Sequence, residues 1–123
     1  MVEYLEIEGE KYPVRIGYYV MKNVKAETGK SLSQALEHSR KEEDYSVHET
    51  ILYYAMKMGA FAEKTEMKFE RKDMEMVLDL CFYEYMALFT SDKFFPREKL
   101  EKLEKEAETT EGKQIPKKSI QKT

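Results

Sequence analysis

The two histidines are the residues whose type and spacing first suggest chemistry. His38 and Glu42 lie four residues apart, so a helix would place both on one face, as two metal ligands. Two ligands are too few for a zinc site, and no CxxC or HExxH motif accompanies them. His48 and Glu49 are adjacent and could form an acid–base pair, but an enzyme built on them has the least support. We therefore predict no catalytic residue, no metal site and no cofactor.

The sequence also lacks the motifs of the common catalytic classes. It has no glycine-rich phosphate loop and no GxSxG nucleophile motif. Cys81 is the only cysteine, which excludes an intramolecular disulfide. Its place on the apolar face of a predicted helix indicates a buried structural thiol rather than a nucleophile. A function other than catalysis is favoured.

Composition and charge narrow the class of protein. The 123 residues fit a single domain, and 37% of them are charged, against about a quarter in a typical protein. The formal net charge of -3 argues against a general nucleic-acid binder, because binding phosphates needs a basic face. The N-terminus lacks the basic and apolar regions of a signal peptide, and no apolar run approaches the roughly 18 residues that span a membrane. We expect a soluble cytoplasmic protein.

A long apolar stripe over residues 72–89 organises the rest of the chain. Its side chains recur at three- and four-residue steps, which predicts one continuous helix of about five turns. The members are Met74, Val77, Leu78, Cys81, Phe82, Tyr85, Leu88 and Phe89. A capping box at Ser46 and Glu49 predicts the start of a partner helix over residues 46–62. Its predicted inner face consists of Val47, Ile51, Tyr54, Ala55, Met58 and Ala62.

Two short strands are predicted before these helices, over residues 2–7 and 12–16. Gly9 supplies the positive φ of a tight hairpin turn, whose centre could be Glu8-Gly9 or Gly9-Glu10. Either register puts the same four side chains on one face: Leu5, Ile7, Tyr12 and Val14. A lone hairpin is barely stable in water, so this face must rest on helices.

Two further helices are predicted between the hairpin and the long stripes. The first covers Tyr18–Thr28 and ends at Gly29, a C-cap residue. The second opens at a capping box formed by Ser31 and Gln34, and its polar end over residues 40–44 is expected to fray. The predicted fold class is α+β, mostly α, with an N-terminal β-hairpin packed on a bundle of four to five helices and a disordered C-terminal tail.

The domain boundaries are predicted from the shift to charged and polar residues after the apolar stripe of residues 72–89. The hairpin and helical bundle are expected to form a domain over residues 1–95. Pro96 suits the first turn of a charged amphipathic helix over residues 96–108. The polar residues 109–123 are expected to be disordered.

Methionine and tyrosine are unusually frequent, at 8 and 9 copies. Two interpretations remain open: methionines that fill gaps in the core with tyrosines at its border, or an adaptable surface for a protein partner. Amphipathic residues at the edge of the predicted core are the candidates for partner binding: Tyr12, Arg15, Tyr19, Tyr53 and Tyr83.

The opening segment Tyr4–Gly17 resembles the start of the small tail assembly chaperones of long-tailed bacteriophages and prophages. It reads YLEIEGEKYPVRIG and contains the family's pattern I-x-G-x-x-Y-x-V-R-x-G. Within residues 46–62, a second pattern of the type I-x-Y-A-G-L is similar to Ile51, Tyr53, Ala55 and Met58. A third section, from Phe69, continues the resemblance to residue 89. The chain departs from the family at Lys57-Met58-Gly59 and in its charged extension after Pro96.

The resemblance implies a non-enzymatic role in the cytoplasm of a bacterial host. Proteins of this family coat the tape measure protein, recruit tail tube protein around it and leave before the tail is finished. This chain would resemble the short form of the family, with self-association through the hairpin edge or the helix faces. The alternative from another class is a small cytoplasmic regulatory protein that binds nucleic acid or a protein partner through a basic tail. That tail contains Lys113, Lys117, Lys118 and Lys122.

Overall fold

A computed structural model describes residues 2–91 and Lys102 of the chain. Apart from Lys102, the helix predicted over residues 96–108 and the tail predicted over 109–123 lie outside the described residues. Within them, the elements in chain order are β1 (Glu3–Ile7), β2 (Glu10–Val14), α1 (Tyr18–Thr28), α2 (Leu32–Glu42), α3 (Ser46–Glu63), α4 (Met74–Leu80) and α5 (Phe82–Phe89). A 3-10 turn over Arg71–Asp73 precedes α4. The predicted α+β class, mostly α with an N-terminal hairpin on a helical bundle, is confirmed.

The hairpin turn is centred on Glu8 and Gly9. Ile7 pairs with Glu10 in the antiparallel ladder, and the two turn residues have φ values of 50° and 85°. Positive φ at both central residues gives a type I′ turn, which matches the right-handed twist of the strands. Because the turn is this short, β2 begins and ends two residues before the predicted segment. The predicted apolar face is confirmed, with Tyr12 half-buried at its margin.

Gly59 lets the hairpin lie directly on α3. A Cβ atom at this position would lie 2.1 Å from the carbonyl oxygen of Pro13. A few residues away, the backbone N–H of Arg15 donates a hydrogen bond to the carbonyl of Ala55, at 3.0 Å. The outer edge of β2 is therefore covered by a helix near Pro13 and Arg15, which is one way proteins protect a strand edge.

Helix α3 is buried more widely than predicted. It contacts α1, β2 and α4, so more than one side of it faces the core. Its buried residues are Val47, Thr50, Ile51, Leu52, Ala55, Met56, Gly59 and Ala60. The expected core position Ala62 is exposed, near the end of the helix. The capping box predicted at Ser46 is also wrong, because the Asp44 carboxylate instead accepts hydrogen bonds from the Ser46 N–H at 3.1 Å and hydroxyl at 2.8 Å.

The single long helix predicted over residues 72–89 is wrong, since it is broken at Cys81. This residue has φ -126° and ψ 25°, outside helical values, and separates α4 from α5. The two helices differ in their main contacts: α4 packs on α3, whereas α5 packs on β1 and also meets His48 of α3 through Tyr85 and Phe89. One expected core residue, Phe82, is exposed as a result. Cys81 is buried, as predicted.

Helices α1 and α2 begin and end largely as predicted. Gly29 ends α1 in the left-handed conformation, and the capping box of Ser31 and Gln34 is present at the start of α2. The predicted fraying over residues 40–44 begins later than expected, because α2 stays helical to Glu42 and the chain leaves the helix at Glu43 and Asp44. An ion pair between Glu37 and Arg40 spans this end, and basic side chains in a last turn complement the helix dipole.

Candidate functional site

His48 and Glu49 face different neighbours and do not form an acid–base pair. The Nδ1 atom of His48 lies 2.9 Å from the Tyr85 hydroxyl, and its ring packs edge-on against Phe89. Burial lowers the pKa of His48, because the charged imidazolium is poorly solvated there. The Glu49 carboxylate lies instead 3.9 Å from the guanidinium of Arg71. His48 therefore serves the packing of α5 on α3.

The other chemically reactive groups also lie in structural environments. Burial raises the pKa of the Cys81 thiol to about 11, so the unreactive protonated form dominates at neutral pH. Across residues 2–91 and Lys102, no three His, Cys, Asp or Glu side chains are grouped so that they could hold a metal ion. In the same part of the chain, no helix combines the length and the apolar character that crossing a membrane requires.

A polar network around Glu27 ties α1 to α3 and to the 3-10 turn. The Glu27 carboxylate accepts hydrogen bonds from the Thr50 hydroxyl at 3.1 Å and from the Tyr54 hydroxyl at 2.8 Å. The guanidinium of Arg71 donates to the Thr50 hydroxyl at 2.9 Å and lies 3.4 Å from Glu27. The pKa of Tyr54 is raised to about 12 by burial and by the nearby carboxylate. The network satisfies the buried hydroxyl of Thr50 and fixes the chain before α4.

Two of the predicted partner-binding residues, Tyr19 and Tyr53, lie in one aromatic cluster. Both rings contact Tyr54, at centroid distances of 5.6 and 5.0 Å. The Lys57 ammonium lies 5.7 Å from the centre of the Tyr53 ring. Tyr19 and Tyr53 are half-buried, so much of their surface is used within the domain.

Tyr12 and Arg15 lie on the hairpin, away from that cluster. The Tyr12 ring packs on Phe69 at 5.4 Å, and its hydroxyl donates to Glu10. Tyr12 also borders an open groove of about 400 Å³ between β2 and residues 65–68. Arg15 is half-buried, and its guanidinium lies beside Gly17.

Tyr83 is the predicted site residue with the most open surroundings, and it belongs to an exposed apolar surface. We call this surface the α4–α5 strip, which consists of Met76, Leu80, Phe82 and Tyr83. Their side chains are 72%, 53%, 42% and 83% exposed, respectively, and the rings of Phe82 and Tyr83 touch edge-on. The described residues expose eight large apolar or aromatic side chains, and these four fall within residues 76–83. Such a concentration on a small domain is typical of an interaction surface.

The sequence prediction missed three members of the strip, although a signal for two of them was present. Met76 and Leu80 are four residues apart, so they lie on one face of α4. The buried residues Met74, Val77 and Leu78 occupy the other side of the same helix. An apolar pair on the side of α4 away from its buried residues is not needed to complete that buried face, and this was the available signal.

Acidic side chains border the α4–α5 strip. Glu75 and Asp79 lie beside Met76 and Leu80 on α4, and Glu84 follows Tyr83 on α5; all three are exposed. We call these three residues the acidic rim. None of them forms an ion pair with another of the described residues. The cation one turn before Met76, Lys72, is 3.5 Å from Glu70.

Comparison of the chain with models of protein families, with curated proteins and with solved structures finds no match.

Proposed function

We propose that this chain is a non-enzymatic protein-binding domain, and more particularly a tail assembly chaperone of a long-tailed phage or prophage. In that role it binds the tape measure protein in the cytoplasm of the bacterial host and recruits tail tube protein to it. The observation that carries the proposal of protein binding is the α4–α5 strip, where four large apolar side chains within residues 76–83 are exposed and two of them are in contact.

The rest of the domain supports binding over catalysis. His48 is partly buried against Tyr85 and Phe89, and Cys81 is buried with a raised pKa. The polar network around Glu27 satisfies its own groups within the fold. Aromatic and methionine side chains are, by contrast, the residues enriched at protein interfaces, and the strip is made of these types together with one leucine.

The particular choice of a tail assembly chaperone rests on the resemblance of residues 4–17 to the start of that family. The hairpin formed by this segment is short, ends in a type I′ turn and packs on α3. A hairpin of this kind is compatible with the family, although the fold alone does not specify the partner.

Co-expression tests the proposal directly. The full chain would be produced together with the tape measure and tail tube proteins encoded in the same genome, with an affinity tag on the chain. We expect the tape measure protein to become soluble and to be retained with the chain. An unrelated acidic helical protein of similar size serves as the control. If the tape measure protein stays insoluble with both proteins, the chaperone proposal is wrong.

A further inference from the structure

We infer that the α4–α5 strip binds an amphipathic helix whose apolar stripe is flanked by lysine or arginine residues. The inference deepens the proposed function, on which it rests, by naming the surface and the chemistry of the partner segment. Its basis is the combination of an exposed apolar strip and an acidic rim.

The shape of the strip fits a helix better than an extended strand. Met76 and Leu80 lie one turn apart on α4, and Phe82 and Tyr83 follow in the first turn of α5. The strip lies on two helices and not on the edge of a sheet, so it offers no strand for an extended partner to pair with. A partner helix would place apolar side chains at three- and four-residue steps against Met76, Leu80 and Tyr83.

The negative charges of the acidic rim favour a partner that has basic residues beside its apolar stripe. Glu75, Asp79 and Glu84 carry three negative charges that no described cation neutralises. Basic side chains beside the partner's apolar stripe would pair with these carboxylates, whereas acidic side chains would be repelled. Electrostatic complementarity of this kind contributes mainly to specificity and to the rate of association. Binding should therefore weaken as salt is added.

Two labelled peptides with the same apolar stripe test the inference. Each has about 20 residues, long enough to favour a helix, with leucine at three- and four-residue steps. One peptide has lysine beside the leucines, and the other has glutamate. We expect the full chain to bind the lysine peptide at least tenfold more tightly by fluorescence anisotropy. A charge-reversed variant of the rim, Glu75→Lys with Asp79→Lys and Glu84→Lys, should prefer the glutamate peptide.

Substitutions in the strip, with matched controls, locate the binding surface. Leu80→Ser combined with Tyr83→Ser should weaken binding of the lysine peptide at least tenfold. Tyr18→Ser and Phe61→Ser remove aromatic side chains that are each 76% exposed elsewhere, and should leave binding unchanged. Circular dichroism of each variant checks that the helices are retained.

Several outcomes would overturn the inference. Equal affinity for both peptides would exclude selection by the rim, and an equal effect of the control substitutions would exclude the strip. If the strip variant changes a dimer into a monomer, a second copy of the chain is the occupant instead. If the lysine peptide binds only to a variant with Leu100→Asp and Leu103→Asp, the strip is occupied by the chain's own segment 96–108 instead. If the variant with Leu80→Ser and Tyr83→Ser still retains the tape measure protein, the proposed function stands and only the assignment of the strip as its binding surface is refuted.

Discussion

Replacing Gly59 with alanine should destabilise the domain, although the same change in most helices is stabilising. Alanine in a helix interior is favoured over glycine by about 1 kcal/mol. At Gly59, however, the added Cβ would lie 2.1 Å from the Pro13 carbonyl oxygen and 2.6 Å from the Val14 nitrogen. Backbone atoms cannot rotate away as a side chain does, so the hairpin must move off α3.

The expected loss of stability is the sum of two costs, minus the gain from placing alanine instead of glycine in a helix. Overpacking typically costs about 1–3 kcal/mol, and a backbone clash of this size belongs at the upper end. Moving β2 also strains the hydrogen bond from Arg15 to Ala55, which contributes about 1 kcal/mol. After subtracting the gain in helix preference, we expect the free energy of unfolding to fall by about 3 kcal/mol. For a domain of this size, that lowers Tm by roughly 12–24 °C.

Urea and thermal unfolding, followed by circular dichroism, measure this change. Gly17→Ala is the control, because its Cβ would meet only the flexible guanidinium of Arg15, and we expect a loss below about 1 kcal/mol. A Gly59→Ala variant as stable as wild type, or more stable, would refute the contact between the hairpin and α3.

Three further experiments test the burial of His48, the polar network around Glu27 and the burial of Cys81. Burial lowers the pKa of His48 in the folded state, so the unfolded chain binds more protons and stability should fall as pH drops below about 6.5. Unfolding measured at pH 7.5 and 5.5 should show a smaller loss for His48→Gln, and equal losses would contradict the assignment. Glu27→Ala removes the acceptor of the polar network and should cost about 1–2 kcal/mol in urea unfolding. The exposed Glu37→Ala should leave the midpoint unchanged, and equal shifts would argue against the network. Finally, Cys81 in the folded chain should react with a thiol reagent at pH 8 on the order of 100-fold more slowly than in the unfolded chain; similar rates would show that the thiol is accessible.

Local signals predicted the first half of the fold well. Gly9 and the alternating residues around it identified the hairpin, and Gly29 and Ser31 identified the boundary between α1 and α2. Each of these features depends on a backbone conformation or a cap that neighbouring residues determine. The two possible turn centres were separated only by the observed pairing of Ile7 with Glu10.

The features that were missed depend on contacts between distant elements. The break at Cys81 has no proline or glycine to mark it, and the contact of α5 with the distant strand β1 has no signal in the local sequence. The width of the buried face of α3 likewise depends on four neighbouring elements: α1, α2, β2 and α4. For the candidate site, Tyr83 was predicted, but the other members of the strip were not. Exposure of Phe82 follows from the break itself, so no periodic pattern could have indicated it.

Co-purification of the tape measure protein with three full-length chains tests protein binding through the α4–α5 strip most directly. The chains are wild type, the Leu80→Ser and Tyr83→Ser double variant, and Tyr18→Ser. We predict equal retention by wild type and Tyr18→Ser, and clearly less with the double variant, whose affinity should fall at least tenfold, or by about 1.4 kcal/mol. Equal retention by all three chains would contradict the role of the strip, and retention by none would contradict the chaperone function.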